Sequence, residues 1–412
     1  MKVLLINAYF YPENTAFGHM EKEILDTLIA RGHEVDVVCP VPCRGISDEI
    51  IESYKHIKEE VHRDIRIHRY WAPRESSHPV SRAFRYFWGN IRGNMIGRRF
   101  RNTDVFFTIS TPPTQGLFVG KLAKKFKAPM IYSLQDVFPD SLVTTGLSHE
   151  GSLLYRIGSV VEKKTYKLCS KIIVLSETVE NNLIEKGVPS EKLLTINNWI
   201  DSDNVRPVPR EENPLFDEFN VDRNKFIVLY AGNLGASQDS QVIINAAERL
   251  RDNEDIQFCI FGSGPEYDFL YGAIDTRKLK NVLLNPLLPT SRVSEVYSMG
   301  DVDLITCKKG VSQAAMPSKL WTIMACDTPI IAAFDLDSEL NETLKEANGG
   351  ICVEPENYEL LADEIEKAYL RKKSGLRPEH WGGREYVSAN NSNRSGVSKY
   401  VECIESFGKK KR

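Results

Sequence analysis

Apolar residues in the first half of the chain fall in short continuous runs at 3–7, 35–39, 105–110, 130–134 and 172–175. These alternate with helical periodicity over 21–30, 116–126 and 153–168. Strands that are apolar on both faces need helices above and below them, so the pattern predicts repeated βα units and a parallel, doubly wound sheet. The second half repeats the scheme, with strands expected at 226–231, 256–261, 302–306, 329–333 and 350–353 and helices at 241–250, 293–299, 319–325 and 359–370. A second sheet of the same kind follows.

Residues 201–214 between the halves are rich in Pro, Asn and charge and have no periodicity, and they read as a linker. A polar segment around Trp381-Gly382-Gly383-Arg384 precedes a helical pattern at 397–407 that belongs to neither repeat series. The predicted organisation is therefore an α/β first domain at 1–201, a second at 202–384, and a terminal helix within 385–412 that crosses back to the first.

At 412 residues, two cores are more natural than one. The formal charge of -3 removes general nucleic-acid binding, which needs a broadly basic surface. Residues 1–14 carry one Lys and a short apolar run, too little for a secretory core or a membrane span, so a cytoplasmic protein is expected. Eight scattered cysteines read as small buried hydrophobes of a reducing compartment, and no metal site is expected.

Ligands of open parallel sheets sit beyond the carboxyl ends of the strands. Pro317-Ser318-Lys319 opens a helix there and combines free amides, a hydroxyl and an ammonium, which points to a diphosphate. A cation in a first helical turn opposes the helix dipole by roughly a few tenths of a kcal/mol unless an anion offsets it, which singles out Lys319 from the solvated Lys308 and Lys309. The loop Gly232-Asn233-Leu234-Gly235, with Gln238 opening the next helix, either carries ligand amides or is a tight βα turn. Gly262-Ser263-Gly264 permits close approach of a nucleotide, but it lacks the third glycine and the ribose acid of a dinucleotide fingerprint. In the first half, Gly18 and His19 open a helix after strand one; His19 either binds sugar or phosphate or caps that helix. Asp136 ends another strand, where a carboxylate can orient a hydroxyl or take its proton.

Taken in order, 30–35 (Ala-Arg-Gly-His-Glu-Val), Gln135-Asp136-Val137-Phe138-Pro139, Asn197-Asn198-Trp199-Ile200-Asp201, Gly232-Asn233-Leu234-Gly235, Gly262-Ser263-Gly264-Pro265-Glu266 and Pro317-Ser318-Lys319 resemble the family-4 retaining glycosyltransferases of O-antigen and capsule synthesis over nearly the whole chain. The resemblance implies a GT-B fold of two Rossmann-like domains facing a central cleft. It also implies a nucleotide-sugar donor, UDP-linked, on the second domain, an acceptor on the first, and no catalytic metal or cofactor. Asp136, His19 and Lys319 then carry catalysis, while Gly18, Gly232, Asn233, Gln238, Gly262, Gly264, Pro317, Ser318, Lys319 and Thr322 hold the donor. Many members have two glutamates where this chain has Ala314 and Thr322, so Glu339, after the 329–333 strand, is the candidate replacement carboxylate. A hydroxyl at 322 reaches a ribose without the charge-assisted bonds of a carboxylate. Two other readings remain: a nucleotide-sugar epimerase of the same architecture, and a sugar-nucleotide-binding partner subunit without catalysis.

Residues 81–101 hold six arginines and no acid, interleaved with Phe84, Phe87, Trp88, Ile91 and Met95 at helical spacing. Such a segment lies on an anionic bilayer through Arg82, Arg85, Arg92 and Arg99, or is a core helix with a solvated basic face. Lys409-Lys410-Lys411-Arg412 adds to the first reading. With the family resemblance, the implied acceptor is a saccharide on a polyprenyl diphosphate, met at the inner face of a membrane.

Overall fold

The computed structural model describes residues 1–13, 15, 17–75, 79–144, 146–313, 316–380, 383–391 and 393–408. The chain divides into two compact units. Unit 1 is Met1–Asp140, Ser148–Asn197 and Asn393–Arg412; unit 2 is Ser141–Leu147 and Asn198–Ser392.

Unit 1 is built on eight strands: β1 (Lys2–Ile6), β2 (Glu34–Pro40), β3 (Glu59–His62), β4 (Ile65–Tyr70), β5 (Val105–Ile109), β6 (Met130–Ser133), β7 (Lys171–Val174) and β8 (Leu193–Thr195), in the spatial order β3-β4-β2-β1-β5-β6-β7-β8. All pairs are parallel except β3 with β4. Periodicity misses β3, β4 and β8. The β3–β4 hairpin turns on Arg63 and Asp64, both at positive φ, without the glycine that usually announces such a turn. In β4 the outward residues Arg66 and His68 bond to Asp36, so charge conceals the inward row Ile65 and Ile67.

The terminal helix of unit 1 is Asn393–Ser406, and it packs on helix Gly18–Ala30. Tyr400 is fully buried between Phe17 and Phe107, with its hydroxyl 3.0 Å from Ser133 Oγ. Glu405 accepts from Arg31 at 2.8 Å and pairs with His33 at 2.8 Å. Residues 383–390 do not share this packing as the 385–412 expectation has it. Helix Gly383–Asn390 stays in unit 2 against helix Lys319–Ala325, because Gly383 brings its backbone within a Cβ's reach of Met324.

Unit 2 has six parallel strands: β9 (Phe226–Asn233), β10 (Ile256–Ser263), β11 (Val282–Pro286), β12 (Val302–Thr306), β13 (Ile330–Ala333) and β14 (Gly350–Val353), in the order β11-β10-β9-β12-β13-β14. The half-buried edge strand β11 is the one periodicity overlooks. The presumed linker at 201–214 is ordered structure of this unit. Arg210 bonds Asp301 at 3.1 Å and the carbonyls of Arg223 and Lys225, and Arg384 bonds the carbonyls of Ser202, Val205 and Ala325.

Candidate functional site

In unit 2 the chain runs outward from β9 through β10 to β11, then returns to the other side of β9 and continues through β12 to β14. The connections therefore diverge between β9 and β12 and leave a crevice at their carboxyl ends. An open pocket of about 350 Å³ occupies it. Gly232, Asn233 and Gln238 form one side, Ile305–Cys307 the floor, Pro317, Ser318, Lys319 and Thr322 the other side, and Leu287–Thr290 with Tyr297 an apolar wall. Seven of the residues expected from sequence to hold a donor are thus brought together.

Lys319 dominates the electrostatics. Its Nζ is buried, has no hydrogen-bond partner among the described residues, and lies 3.8 Å from the centroid of the Tyr230 ring. Burial pulls the ammonium pKa down to about 8, and the Cys307 thiol and the Asp303 carboxyl beside it restore part of the loss. Asp303 is buried in β12 with both oxygens unbonded among the described residues, and burial raises its carboxyl well above the usual range, opposed in part by the nearby Lys319 ammonium. A buried cation without a carboxylate partner is costly unless an anion from outside completes the site.

Helix Lys319–Ala325 begins two residues after Pro317, so Pro317 is not its first residue as expected; Leu320 N–H closes a turn on the Pro317 carbonyl at 3.2 Å. The Ser318 side chain makes no cap bond and is exposed. Thr322 lies one turn further on the same face and lines the pocket. Gly232 has φ 140°, and a Cβ there would sit 3.3 Å from Lys319 Nζ, so this glycine makes room for the ammonium. Gln238 Oε1 accepts from Asn233 Nδ2 and from Gly235 N–H, both at 3.2 Å, which stiffens the loop.

Gly262 and Gly264 do not line the pocket. Their missing side chains make room for Leu234, whose backbone bonds Ser263 O and Glu266 N, and a Cβ on Gly264 would lie 2.5 Å from Leu234 O. Glu339 stands in the first turn of helix Glu339–Glu346, also outside the pocket wall. Ala314 lies outside the described residues. Asp335, which sequence reasoning missed, accepts from Gly310 N at 2.9 Å and Ser312 N at 3.1 Å and so anchors the loop leading to Pro317. Its only sequence signal is an acid just past an apolar strand.

In unit 1, Gly18 N–H donates to Thr15 O at 3.0 Å, so this amide is used within its own turn, contrary to its expected role as a phosphate donor. His19 is exposed on the first turn of that helix. Asp136 is also solvent-exposed, beside a small pocket that includes Tyr132, Phe138 and Tyr166. Crowding by the surrounding protein pushes its carboxyl pKa upward. Sequence reasoning passed over two buried acids nearby. Glu13 accepts from the backbone of Phe10, Cys43 and Arg44, tying the loops after β1 and β2 together. Glu21 receives a bond from Asn7, and burial lifts its pKa to about 8. Each has polar neighbours in sequence, Asn14 beside Glu13 and Lys22 and Glu23 beside Glu21, and so looks like a solvated acid.

The basic helix also departs from expectation. Arg85 is only 3% exposed, bonds the Pro73 carbonyl and lies over the Tyr9 ring, so it cannot touch a membrane. Arg82 and Arg99 are exposed and Arg92 is half-buried. Residues 409–412 lie outside the described residues. Among the described residues no cluster of three His, Cys, Asp or Glu is placed to hold a metal ion, and no helix is long and apolar enough to cross a membrane.

Comparison with known proteins gives the same picture from both halves. Residues 22–199 match the model of the glycosyl transferase 4-like domain, and residues 211–381 that of glycosyl transferases group 1. The putative colanic acid biosynthesis glycosyl transferase WcaI of Escherichia coli K12 is 28% identical, over 98% of this chain and 100% of its own length. Among solved structures, sucrose-phosphate synthase of Thermosynechococcus elongatus superposes with a TM-score of 0.77 at 16% identity, covering 99% of each chain. Anabaena HepE in complex with UDP and glucose does so with a TM-score of 0.73 at 14% identity, over 98% of this chain and 100% of its own. The chain belongs to the family-4 glycosyltransferases of GT-B fold, with a 4-like domain in its first half and a group 1 domain in its second.

Proposed function

We propose that this glycosyltransferase takes a nucleoside-diphosphate sugar, UDP-linked, in the unit 2 pocket and moves the sugar, with retention, to a saccharide carried on a polyprenyl diphosphate for O-antigen or capsule synthesis. The observation that carries the reading is the buried, unpartnered Lys319 ammonium at the strand crevice. It supplies charge where a diphosphate lies. The apolar wall at Leu287–Thr290 suits a base, and Thr322 is the hydroxyl available to a ribose. UDP in the Anabaena relative supports the choice of nucleotide.

Chemistry then follows from electrostatics. As the anomeric C–O bond breaks, the sugar gains oxocarbenium character and the departing diphosphate gains charge, so a cation fixed beside that phosphate favours the transition state over the ground state. On unit 1, Asp136 and His19 are assigned to the acceptor hydroxyl, Asp136 as the group that orients it or takes its proton. The protein works at the inner face of a membrane, where such an acceptor is anchored.

The test is incubation of the full chain with a panel of UDP-sugars and a polyprenyl-diphosphate saccharide, followed by mass spectrometry and assignment of the new anomeric centre by NMR. A product of unchanged anomeric configuration is expected. An epimer formed without acceptor would replace the reading with an epimerase, and binding without turnover across the panel with a non-catalytic subunit.

A further inference from the structure

We propose that unit 2 holds a further ligand site, at the amino ends of its strands, which takes a small apolar molecule carrying one carboxylate. The site is a pocket of about 270 Å³ between the sheet and helix Tyr358–Lys373. Phe226, Val302, Ile330, Ile331 and Ile351 stand at or next to the starts of β9, β12, β13 and β14 and form its floor. The donor pocket lies at the other ends of β9 and β12, so the two are separate.

The sequence of the helix leaves the space open. Its residues in the pocket are Glu364, Lys367, Ala368, Arg371 and Lys372, the i, i+3, i+4, i+7, i+8 stripe that in a packed helix carries large apolar side chains. Here the one apolar member is an alanine. A neighbouring row, Leu361, Ala362, Ile365 and Tyr369, is buried and anchors the helix, so the stripe sends long polar chains to the rim and only Ala368 stands over the floor. The helix stops before Gly375, at φ 69°, and Leu376 N–H closes on the Arg371 carbonyl at 3.2 Å, which brings Leu376 and Pro378 back to the mouth. There Leu376 is 56% exposed. A dry cavity of roughly 150 Å³ takes benzene, so this pocket has room for a ring or for a chain of about eight carbons.

Charge at the rim names the head group. Asp301 is shared by Lys372 and by Arg210, the latter at 3.1 Å. Lys367 bonds Glu364 at 2.6 Å and has Glu379 nearby. Arg371 is the cation left over. Its Nε–H donates to the Arg377 carbonyl at 2.7 Å, and among the described residues no carboxylate pairs with its guanidinium. A guanidinium fixed through Nε still offers two Nη groups to a planar anion. One surplus cation beside an apolar floor matches a ligand with one negative charge on an apolar body. The inference rests on cavity shape and charge and is independent of the transferase reading.

The test is calorimetric titration of the full chain with octanoate, with and without excess UDP. A dissociation constant below about 1 mM is expected, the same in both titrations, with 1-octanol and octylamine at least about tenfold weaker. Ala368→Phe, which fills the pocket, should abolish octanoate binding. Arg371→Met should weaken octanoate about tenfold and leave 1-octanol as it was, and Arg371→Lys should recover part of the loss. If Ala368→Phe fails to fold, the octanoate-to-octanol ratio of Arg371→Met decides alone. The proposal is overturned by absent octanoate binding, by binding that UDP displaces, or by an octanoate affinity that Arg371→Met leaves unchanged. None of these titrations involves sugar transfer, so failure of the transferase reading would leave the result intact.

Discussion

Lys319 Nζ sits 3.8 Å from the centre of the Tyr230 ring, against the bare α-carbon face of Gly232, and among the described residues no acceptor reaches it. The ring face stabilises the ammonium by roughly 0.5–2 kcal/mol, less than its desolvation costs. The site is thus built for a ligand at the expense of the free protein.

Lys319→Met should therefore move stability and binding in opposite directions. Removing the buried charge raises stability by about 1 kcal/mol, or about 2–4 °C in melting temperature for a domain of this size, while UDP affinity falls roughly 10- to 100-fold. Thermal melts and isothermal titration calorimetry give both numbers. With a pKa near 8 in the free protein, Lys319 is partly neutral above that pH, whereas a bound diphosphate holds it charged. UDP binding should then take up a proton and weaken as pH rises through 8. Calorimetry in buffers of different ionisation enthalpy reads the uptake directly, and Lys319→Met should abolish it.

Gly232→Ala should be costly for two reasons, its φ of 140° and the Lys319 ammonium only 3.3 Å from the added methyl. A loss of about 1–3 kcal/mol in denaturant unfolding is expected, along with weaker UDP binding. Gly235→Ala meets only the movable side-chain ends of Asn233 and Gln238 and should cost under about 1 kcal/mol.

Substitutions at Thr322 and Glu339 test the proposed ribose and sugar contacts separately. Thr322→Ala should weaken UDP roughly two- to tenfold, the worth of one neutral hydrogen bond, and Thr322→Ser should restore it. Glu339 stands outside the pocket wall, so Glu339→Ala should leave UDP affinity unchanged. A loss seen with a UDP-sugar but not with UDP would assign its carboxylate to the transferred sugar; equal affinities for both would remove Glu339 from the donor site.

Glu21 predicts a pH dependence of stability. Its pKa rises from 4.5 to about 8 on folding because it is buried, so between those values the native protein holds a proton that the unfolded chain has lost. Stability contributed by the protonated form is complete below pH 4.5 and declines as pH rises toward 8, with a slope of at most about 1.4 kcal/mol per pH unit. Glu21→Gln keeps the acceptor for Asn7 and cannot ionise, and urea titrations across this range should show the decline removed.

Much of the fold was legible because buried parallel strands must be apolar on both faces. The runs at 3–7 and 302–306 announced themselves, and the Leu153–Leu168 and Lys319–Ala325 helices appear at the predicted bounds. What escaped was structure whose stabilising partners are distant in sequence. Strand β4 hides its period behind Arg66 and His68, which are satisfied by Asp36, and the apparent linker is held in place by Arg210 and Arg384 through partners distant in sequence. At the site, chemistry was legible only where a residue type is anomalous in its local setting. Lys319 in a first helical turn is such a case; Glu13, Glu21 and Asp335 are not, because an acid's burial is invisible until distant backbone closes around it.

By itself the sequence determined the two βα series and the order of their motifs. It also placed a cation, a hydroxyl and several glycines at strand ends, because local periodicity and turn chemistry depend only on near neighbours. Tertiary structure decided which of these meet. It brought Gly232, Lys319 and Thr322 to one pocket because the connections diverge between β9 and β12. It gave Gly262 and Gly264 to Leu234, buried Arg85, and turned Phe84 and Phe87 to the outside. The glycine face of helix Pro79–Gly97 shows why. Helical spacing says which residues share a face, but only packing against β1 and Leu122 says which face is in.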